Sequence, residues 1–211
     1  MPQTFNKPRL MRSNFLARVC FALLLSMLAA CTSISPPSGN ALLTARAYQP
    51  QIEMSGRLSA QYEANYREQS VSVHFNWSQT PEHTAISLSS PTGQTVATIL
   101  INAQGAQLTQ ADKPTRYASD INQLSTEVLG WPMPVAGLRD WLQGFVNAQH
   151  SPPLTQSTSV QPITVDGWSL RYASWQTENN IERPKRLDLS RQTEQAGLVS
   201  LRIVVDEWAT P

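Results

Sequence analysis

The sequence predicts an α+β domain, in which one strongly curved antiparallel sheet of about 10–11 strands carries helices against its concave face. Two-residue hydrophobic alternation dominates from Ile52 onward and returns near the C-terminus. Between these runs lie two short segments of helical periodicity. Turn residues separate the strands at short intervals, so sequence neighbours pair as a meander and no parallel crossover is required. Whether the space inside such a sheet is filled or hollow decides what the protein can do.

Residues 1–30 form an export leader, with Arg9, Arg12 and Arg18 before or at the start of an apolar run, Val19–Leu28, that is broken only by Ser26. That run is too short to cross a bilayer as a helix, and its charge pattern is that of a cleaved signal peptide. It ends at Leu28-Ala29-Ala30-Cys31, which resembles a bacterial lipobox and implies cleavage before Cys31. Residues 31–50 read as a lipidated tether rich in breakers (Pro36, Pro37, Gly39), with a short helix expected at Ala41–Tyr48. The folded domain is assigned to residues 51–211.

Within it, Ile52, Met54, Leu58 and Ala60 share one parity, as do Val71, Val73, Phe75 and Trp77, with Ser72, His74 and Asn76 opposite. Further strands are expected at Thr84–Ser89, Thr95–Asn102 and Ala106–Gln110. Asp120 can cap a helix in which Ile121, Leu124, Val128 and Leu129 share a face and which Gly130 ends. A second helix aligns Val135, Leu138, Trp141 and Leu142, and Gly144 stops it. Residues 147–165 read as a polar loop, after which strands are expected at Trp168–Tyr172, Arg186–Ser190 and Val199–Val205.

Composition narrows the function. The chain of 211 residues holds 16 basic and 15 acidic side chains. Four of the basic ones (Lys7, Arg9, Arg12, Arg18) lie in the leader, so loss of residues 1–30 leaves 12 against 15. This balance speaks against nucleic-acid binding, which needs a basic face. Cys20 departs with the leader and Cys31 carries lipid, so the mature chain has no thiol with which to form a disulfide. Several acyl chains on one cysteine anchor stably at about 0.8 kcal/mol per buried CH₂.

Catalytic signatures are missing from the sequence: it has no G-x-S-x-G, no Walker loop, no G-x-G-x-x-G and no H-E-x-x-H. His74, His83 and His150 read as solvated side chains, and no pair has metal-ligand spacing. Neither an enzyme, a metal site nor a soluble cofactor is expected. The six tryptophans suit either a solid core or the wall of a lipid cavity, and the sequence leaves both uses open.

A series of fragments after the lipobox carries a resemblance: Ser55-Gly56-Arg57-Leu58, Phe75-Asn76-Trp77-Ser78-Gln79, Leu88-Ser89-Ser90-Pro91-Thr92-Gly93, Gly130-Trp131-Pro132-Met133-Pro134, Leu138-Arg139-Asp140-Trp141-Leu142-Gln143-Gly144, Gly167-Trp168-Ser169-Leu170-Arg171-Tyr172, Pro184-Lys185-Arg186-Leu187 and Trp208. In order and spacing they resemble the LolB family of outer-membrane lipoproteins. The resemblance implies an incomplete, half-open β-barrel whose concave hydrophobic cavity is covered by helices, in a monomer at the outer membrane facing the periplasm, anchored by diacylglyceryl and N-acyl lipid on Cys31. It would take lipoproteins from the periplasmic carrier LolA, hold their acyl chains in a hydrophobic cavity and insert them into the outer membrane without nucleotide hydrolysis.

Candidate cavity walls are Val73, Phe75, Trp77, Ile86 and Leu88 from strands and Leu124, Val128, Leu138, Trp141 and Leu142 from helices. The competing reading is a structural outer-membrane lipoprotein whose helices fill the sheet, leaving no cavity. The resemblance also implies a membrane-delivery loop at Pro91-Thr92-Gly93. Family members usually carry leucine between that proline and glycine; threonine cannot supply the roughly 1.5–3 kcal/mol that burying a leucine in lipid contributes.

Overall fold

A computed structural model describes residues 46–209. The leader, Cys31 and most of the tether lie outside the described residues. Ten strands form one sheet: β1 (Ile52–Ala64), β2 (Arg67–Gln79), β3 (His83–Ser89), β4 (Thr95–Asn102), β5 (Gly105–Gln110), β6 (Arg116–Ala118), β7 (Ile163–Val165), β8 (Trp168–Glu178), β9 (Ile181–Thr193) and β10 (Gly197–Ala209). Two helices, α1 (Ile121–Leu129) and α2 (Val135–Trp141), stand between β6 and β7. The spatial order is β6-β5-β4-β3-β2-β1-β10-β9-β8-β7 and every pairing is antiparallel. The sheet is open, with the three-residue strands β6 and β7 at its edges.

Alternation on a strand with one wet face gives the core directly. Val73, Phe75 and Trp77 are buried on β2 while Ser72, His74 and Asn76 are exposed. Val199, Leu201, Ile203 and Val205 do the same on β10. The hairpins run further than the apolar pattern. Asn65 and Tyr66 (φ 54° and 58°) join β1 to β2, and Asn179 and Asn180 (φ 49° and 63°) join β8 to β9. Paired left-handed residues give tight turns whose twist matches that of the strands, so pairing continues to the tips.

Gly56 lies at the irregularity between β1 and β10. A Cβ there would run into the Val204 carbonyl and meet the Phe75 ring at 2.9 Å, so only glycine allows this approach.

Helix α1 begins and ends as its sequence requires. The Asp120 carboxylate accepts from the Gln123 amide at 2.9 Å, and Gly130 (φ 81°) donates its own amide to the Thr126 carbonyl at 2.9 Å. Helix α2 is shorter than its apolar face: it closes at Trp141, and Leu142 and Gln143 lie in the turn that Gly144 (φ 77°) completes.

Three expectations are corrected. Residues 163–165 are not loop but β7, paired with Trp168–Leu170. Residues 116–118 form β6 on β5, where no strand was expected. Arg46–Tyr48 are not helical, while the rest of the segment expected as a helix, 41–45, lies outside the described residues.

Candidate functional site

The concave side of the sheet is filled unevenly. Over β8–β10, Trp168, Leu170, Tyr172, Leu187, Leu189, Val199 and Leu201 are buried in a solid core. Trp131, in the linker between the helices, lies against Trp168 with ring centroids 6.3 Å apart and against Tyr62 at 5.8 Å. The Tyr172 hydroxyl donates to the Trp141 carbonyl at 3.0 Å. Burial raises the pKa of that phenol well above its ordinary value, which keeps it a neutral donor.

Over β1–β5 the packing is incomplete. A cavity of about 240 Å³ lies between this half of the sheet and α1. Its wall takes Leu58, Ala60 and Tyr62 from β1, Val71 and Val73 from β2, Leu88 from β3, Val96, Ala97 and Ile99 from β4, and Leu108 and Gln110 from β5. Ile121, Leu124, Ser125, Val128 and Leu129 of α1 close it, with Trp131, Met133 and Val135 beyond. A second void of about 50 Å³ adjoins it beneath α2 and shares Leu58, Leu88, Ile99, Met133 and Val135.

The polar side-chain groups on the larger wall are Gln110, the Tyr62 phenol, the buried Trp131 indole N–H and Ser125, whose hydroxyl is already engaged: it donates to the Asn122 carbonyl and accepts from the Met133 amide at 2.8 Å. An apolar void of this kind stays dry and favours hydrocarbon over water. It opens beside Val71 and Val96, which are 42% and 38% exposed. Two larger depressions, of about 860 and 650 Å³, are lined in part by Glu53, Glu178, Asp206 and Glu207, or by serines with Arg171 and Arg202. Charges of that kind would lose hydration against an acyl chain, so neither suits one.

Of the ten residues expected at the cavity, Val73, Leu88, Leu124 and Val128 line the larger void. Phe75, Trp77, Ile86, Leu138 and Leu142 line the smaller, as does Leu88. Trp141 lines neither. Helical periodicity put it on the inward face, where it is buried and its carbonyl is tied to Tyr172 of β8, but of that face only Val135, Leu138 and Leu142 reach a void. The sequence reading missed the contributions of β1, β4, β5 and the inter-helix linker. Ala97 is small and Leu108 stands alone as an apolar residue in a polar strand, whereas Ile99 was available from the same alternation.

Polar residues missing from that reading hold α2 in place. Arg139 donates to the Thr84 hydroxyl (3.1 Å) and the Thr80 carbonyl (2.8 Å), tying α2 to the β2–β3 turn. Gln143 accepts from the Gln49 amide at 2.9 Å and donates to the Gln49 carbonyl at 3.0 Å. Arg46 donates to the carbonyls of Gly144, Leu154 and Glu182, and its guanidinium lies over the Phe145 and Trp175 rings. Burial lowers its pKa, with Glu182 opposing that shift. The chain is therefore fastened to the domain from Arg46, five residues before the boundary assigned at Gln51.

The Pro91-Thr92-Gly93 loop is exposed between β3 and β4. The Ser90 and Thr92 hydroxyls are 2.8 Å apart, the Gly93 amide donates to the Ser90 carbonyl, and Gly93 has φ 89°. Leu88 and Val96, on either side of the loop, are both cavity wall. The loop therefore borders the mouth but brings no large apolar side chain to it. Of the histidines, His83 lies 3.0 Å from the Thr80 hydroxyl, His150 lies 3.0 Å from Asn147 Oδ1, and His74 is exposed. Among the described residues no three His, Cys, Asp or Glu side chains form a metal-ligating group.

A family model described as "Outer membrane lipoprotein LolB" matches residues 50–208. Curated relatives called outer-membrane lipoprotein LolB include one from Cupriavidus pinatubonensis, 34% identical over 97% of this chain and 100% of that protein. Another, from Cupriavidus necator, is 34% identical over 92% and 97%. A LolA superfamily protein of Nitrosomonas europaea superposes with a TM-score of 0.42 at 7% identity, covering 77% of this chain and 88% of that one. With the family match spanning the whole sheet and both helices, the chain belongs to the LolB family of outer-membrane lipoproteins.

Proposed function

We propose that this outer-membrane lipoprotein accepts lipoproteins from the periplasmic carrier LolA, holds their acyl chains between β1–β5 and α1, and releases them into the outer membrane. The observation that carries this reading is the dry cavity under α1, lined almost wholly by hydrocarbon. Exposing an acyl chain to water costs about 0.8 kcal/mol per CH₂, so a chain of roughly sixteen carbons moves only from one apolar enclosure to another. A difference of about 1.4 kcal/mol between two enclosures shifts the cargo tenfold, and a transfer of this kind needs no nucleotide.

The two voids together fall at or just below the roughly 300–1,000 Å³ typical of ligand pockets. Loading more than part of one chain therefore requires α1 to move away from the sheet. Such a movement would part α1 from β5, the edge strand β6 and α2, on which it packs. Cys31 carries the lipid anchor in this reading, and the protein works as a monomer with no soluble cofactor.

The test is to mix the mature chain with LolA loaded with a radiolabelled lipoprotein, in the absence of nucleotide. Cargo is expected to pass to this chain. Cargo that stays on the carrier, together with no uptake of a fluorescent fatty acid, rejects the reading in favour of a purely structural lipoprotein.

A further inference from the structure

We propose that the tip of the β1–β2 hairpin, with Tyr66 as its anchor, is the part of this chain that enters the lipid surface during delivery. The proposal rests on the acyl-carrier reading and names the surface through which that carrier meets the membrane.

Antiparallel order places the β1–β2, β3–β4, β5–β6, β7–β8 and β9–β10 connections at one end of the sheet. Six large apolar side chains stand well exposed among the described residues, and four of them, Tyr66, Val71, Val96 and Leu198, belong to this end. Val71 and Val96 flank the cavity mouth. Tyr117 and Val160 lie on edge strand β6 and in the loop before β7. The exposed hydrocarbon is thus gathered where cargo would leave.

The β1–β2 hairpin projects well beyond β3 at this end, while the β9–β10 turn accompanies it as far as Glu63. Pairing of β2 with β3 starts at His74, so residues 67–73 extend past it by about 23 Å at strand rise. On the other side, β1 pairs with β10 as far as Gln61, and the Glu63 amide then donates to the Ala196 carbonyl. Tyr66 sits at the apex, fully exposed. Its φ of 58° lies in the left-handed region, where Gly or Asn is the ordinary occupant and a bulky side chain is disfavoured. The fold thus keeps an aromatic ring at a position costly for its backbone, with no protein neighbour to repay it.

A lipid surface fits this geometry better than a protein partner. A stable protein interface needs about 1,000 Å² of matched surface, whereas a two-residue turn offers one ring on a narrow post. A tyrosine is suited to the boundary between acyl chains and headgroups, with an apolar ring and a polar hydroxyl. Reach does not prevent it. β1 starts at the opposite end of the sheet, but fifteen residue steps separate Cys31 from Arg46, enough at full extension for about 50 Å. That matches the length of the 13-residue strand β1, about 43 Å.

The test uses the full lipid-anchored chain in vesicles of phosphatidylethanolamine and phosphatidylcholine. Beyond Cys20 and Cys31 the sequence has no cysteine, so Arg67→Cys places a single environment-sensitive fluorophore beside the tip. Gln104→Cys places one at the opposite end of the sheet. The fluorophore at 67 is expected to shift to the blue and to be quenched by a bilayer-embedded quencher, while the one at 104 keeps its aqueous emission. Tyr66→Ala is expected to slow release of bound cargo into acceptor vesicles about tenfold while leaving uptake from the carrier unchanged. A signal at 67 that stays aqueous both before and during transfer from the loaded carrier overturns the proposal, and so does a shift there that the bilayer-embedded quencher does not reach. Failure of uptake by the unaltered chain rejects the acyl-carrier reading instead, and the fluorophore at 67 still reports whether the tip enters lipid.

Discussion

The two halves of the concave face use the same alternating strands and the same aliphatic side chains to opposite ends. Over β8–β10, Trp168 and Tyr172 fill the space beneath the helices, Trp131 packs on Trp168, and Leu170 and Val199 have no exposed surface. Over β1–β5 the inward residues are of similar character, but α1 covers them with Leu124, Val128 and Leu129 and with Ser125, none of them aromatic. A nine-residue helix of medium-sized side chains cannot reach the floor of a strongly curved sheet. One half supplies the rigidity that lets the other remain empty at a tolerable cost in stability.

The largest effect should come from equal truncations in the two halves. Leu170→Ala opens a new hole in a close-packed region and is expected to cost about 3–5 kcal/mol of unfolding free energy in urea. Leu88→Ala removes the same atoms from a half-buried side chain that already borders empty space, and is expected to cost about 2 kcal/mol or less. Equal losses would mean that the two halves are packed alike and would remove the distinction.

A substitution in the reverse direction sharpens it. Ala97 is buried on the cavity wall, and Ala97→Leu adds methyl groups into existing space. Stability should stay level or rise, where an insertion into a filled core costs about 1–3 kcal/mol. Fatty-acid uptake should weaken about tenfold or more, since a loss of roughly 1.4 kcal/mol of acyl burial is sufficient. Unchanged uptake by a stable Ala97→Leu protein would show that acyl chains go elsewhere.

The same comparison shows what the sequence could tell. Strand faces were legible because burial of one side imposes period two, and α1 was legible from Asp120, its apolar face and Gly130. The three-residue edge strands β6 and β7 were not, since a strand paired on one side needs no alternation. Trp141 was expected on the cavity wall and lines neither void, because periodicity gives the face of a helix and not which part of that face meets empty space. Arg46, Arg139 and Gln143 left no local signal either, because their partners are backbone carbonyls far away in sequence. The void itself is a difference between the volume enclosed and the volume filled, and no short window of sequence contains that quantity.

The smallest expected effect concerns the outer surface of the solid half. Asp188 on β9 is bonded to Arg186 beside it, to Arg171 on β8 and to Arg202 on β10, so one carboxylate joins three strands. Partial burial acts to raise its pKa, but the Arg186 hydrogen bonds and charge, with Arg202 and Arg171, outweigh it and hold the group below its ordinary value. A carboxylate with a depressed folded pKa stabilises the fold above its unfolded pKa of about 3.9, and that contribution disappears as pH falls through the lower folded value. Between pH 5 and pH 2 the unaltered chain should therefore lose about 1 kcal/mol more unfolding free energy than Asp188→Asn, a modest figure because the guanidinium partners are partly solvated. The cluster lies on the face away from the cavity and over the other half of the sheet. Asp188→Asn should accordingly leave fatty-acid uptake at neutral pH unaltered. If it weakens uptake as Ala97→Leu is expected to, the solid half is more than a support, and strain in β8–β10 reaches the wall of the cavity.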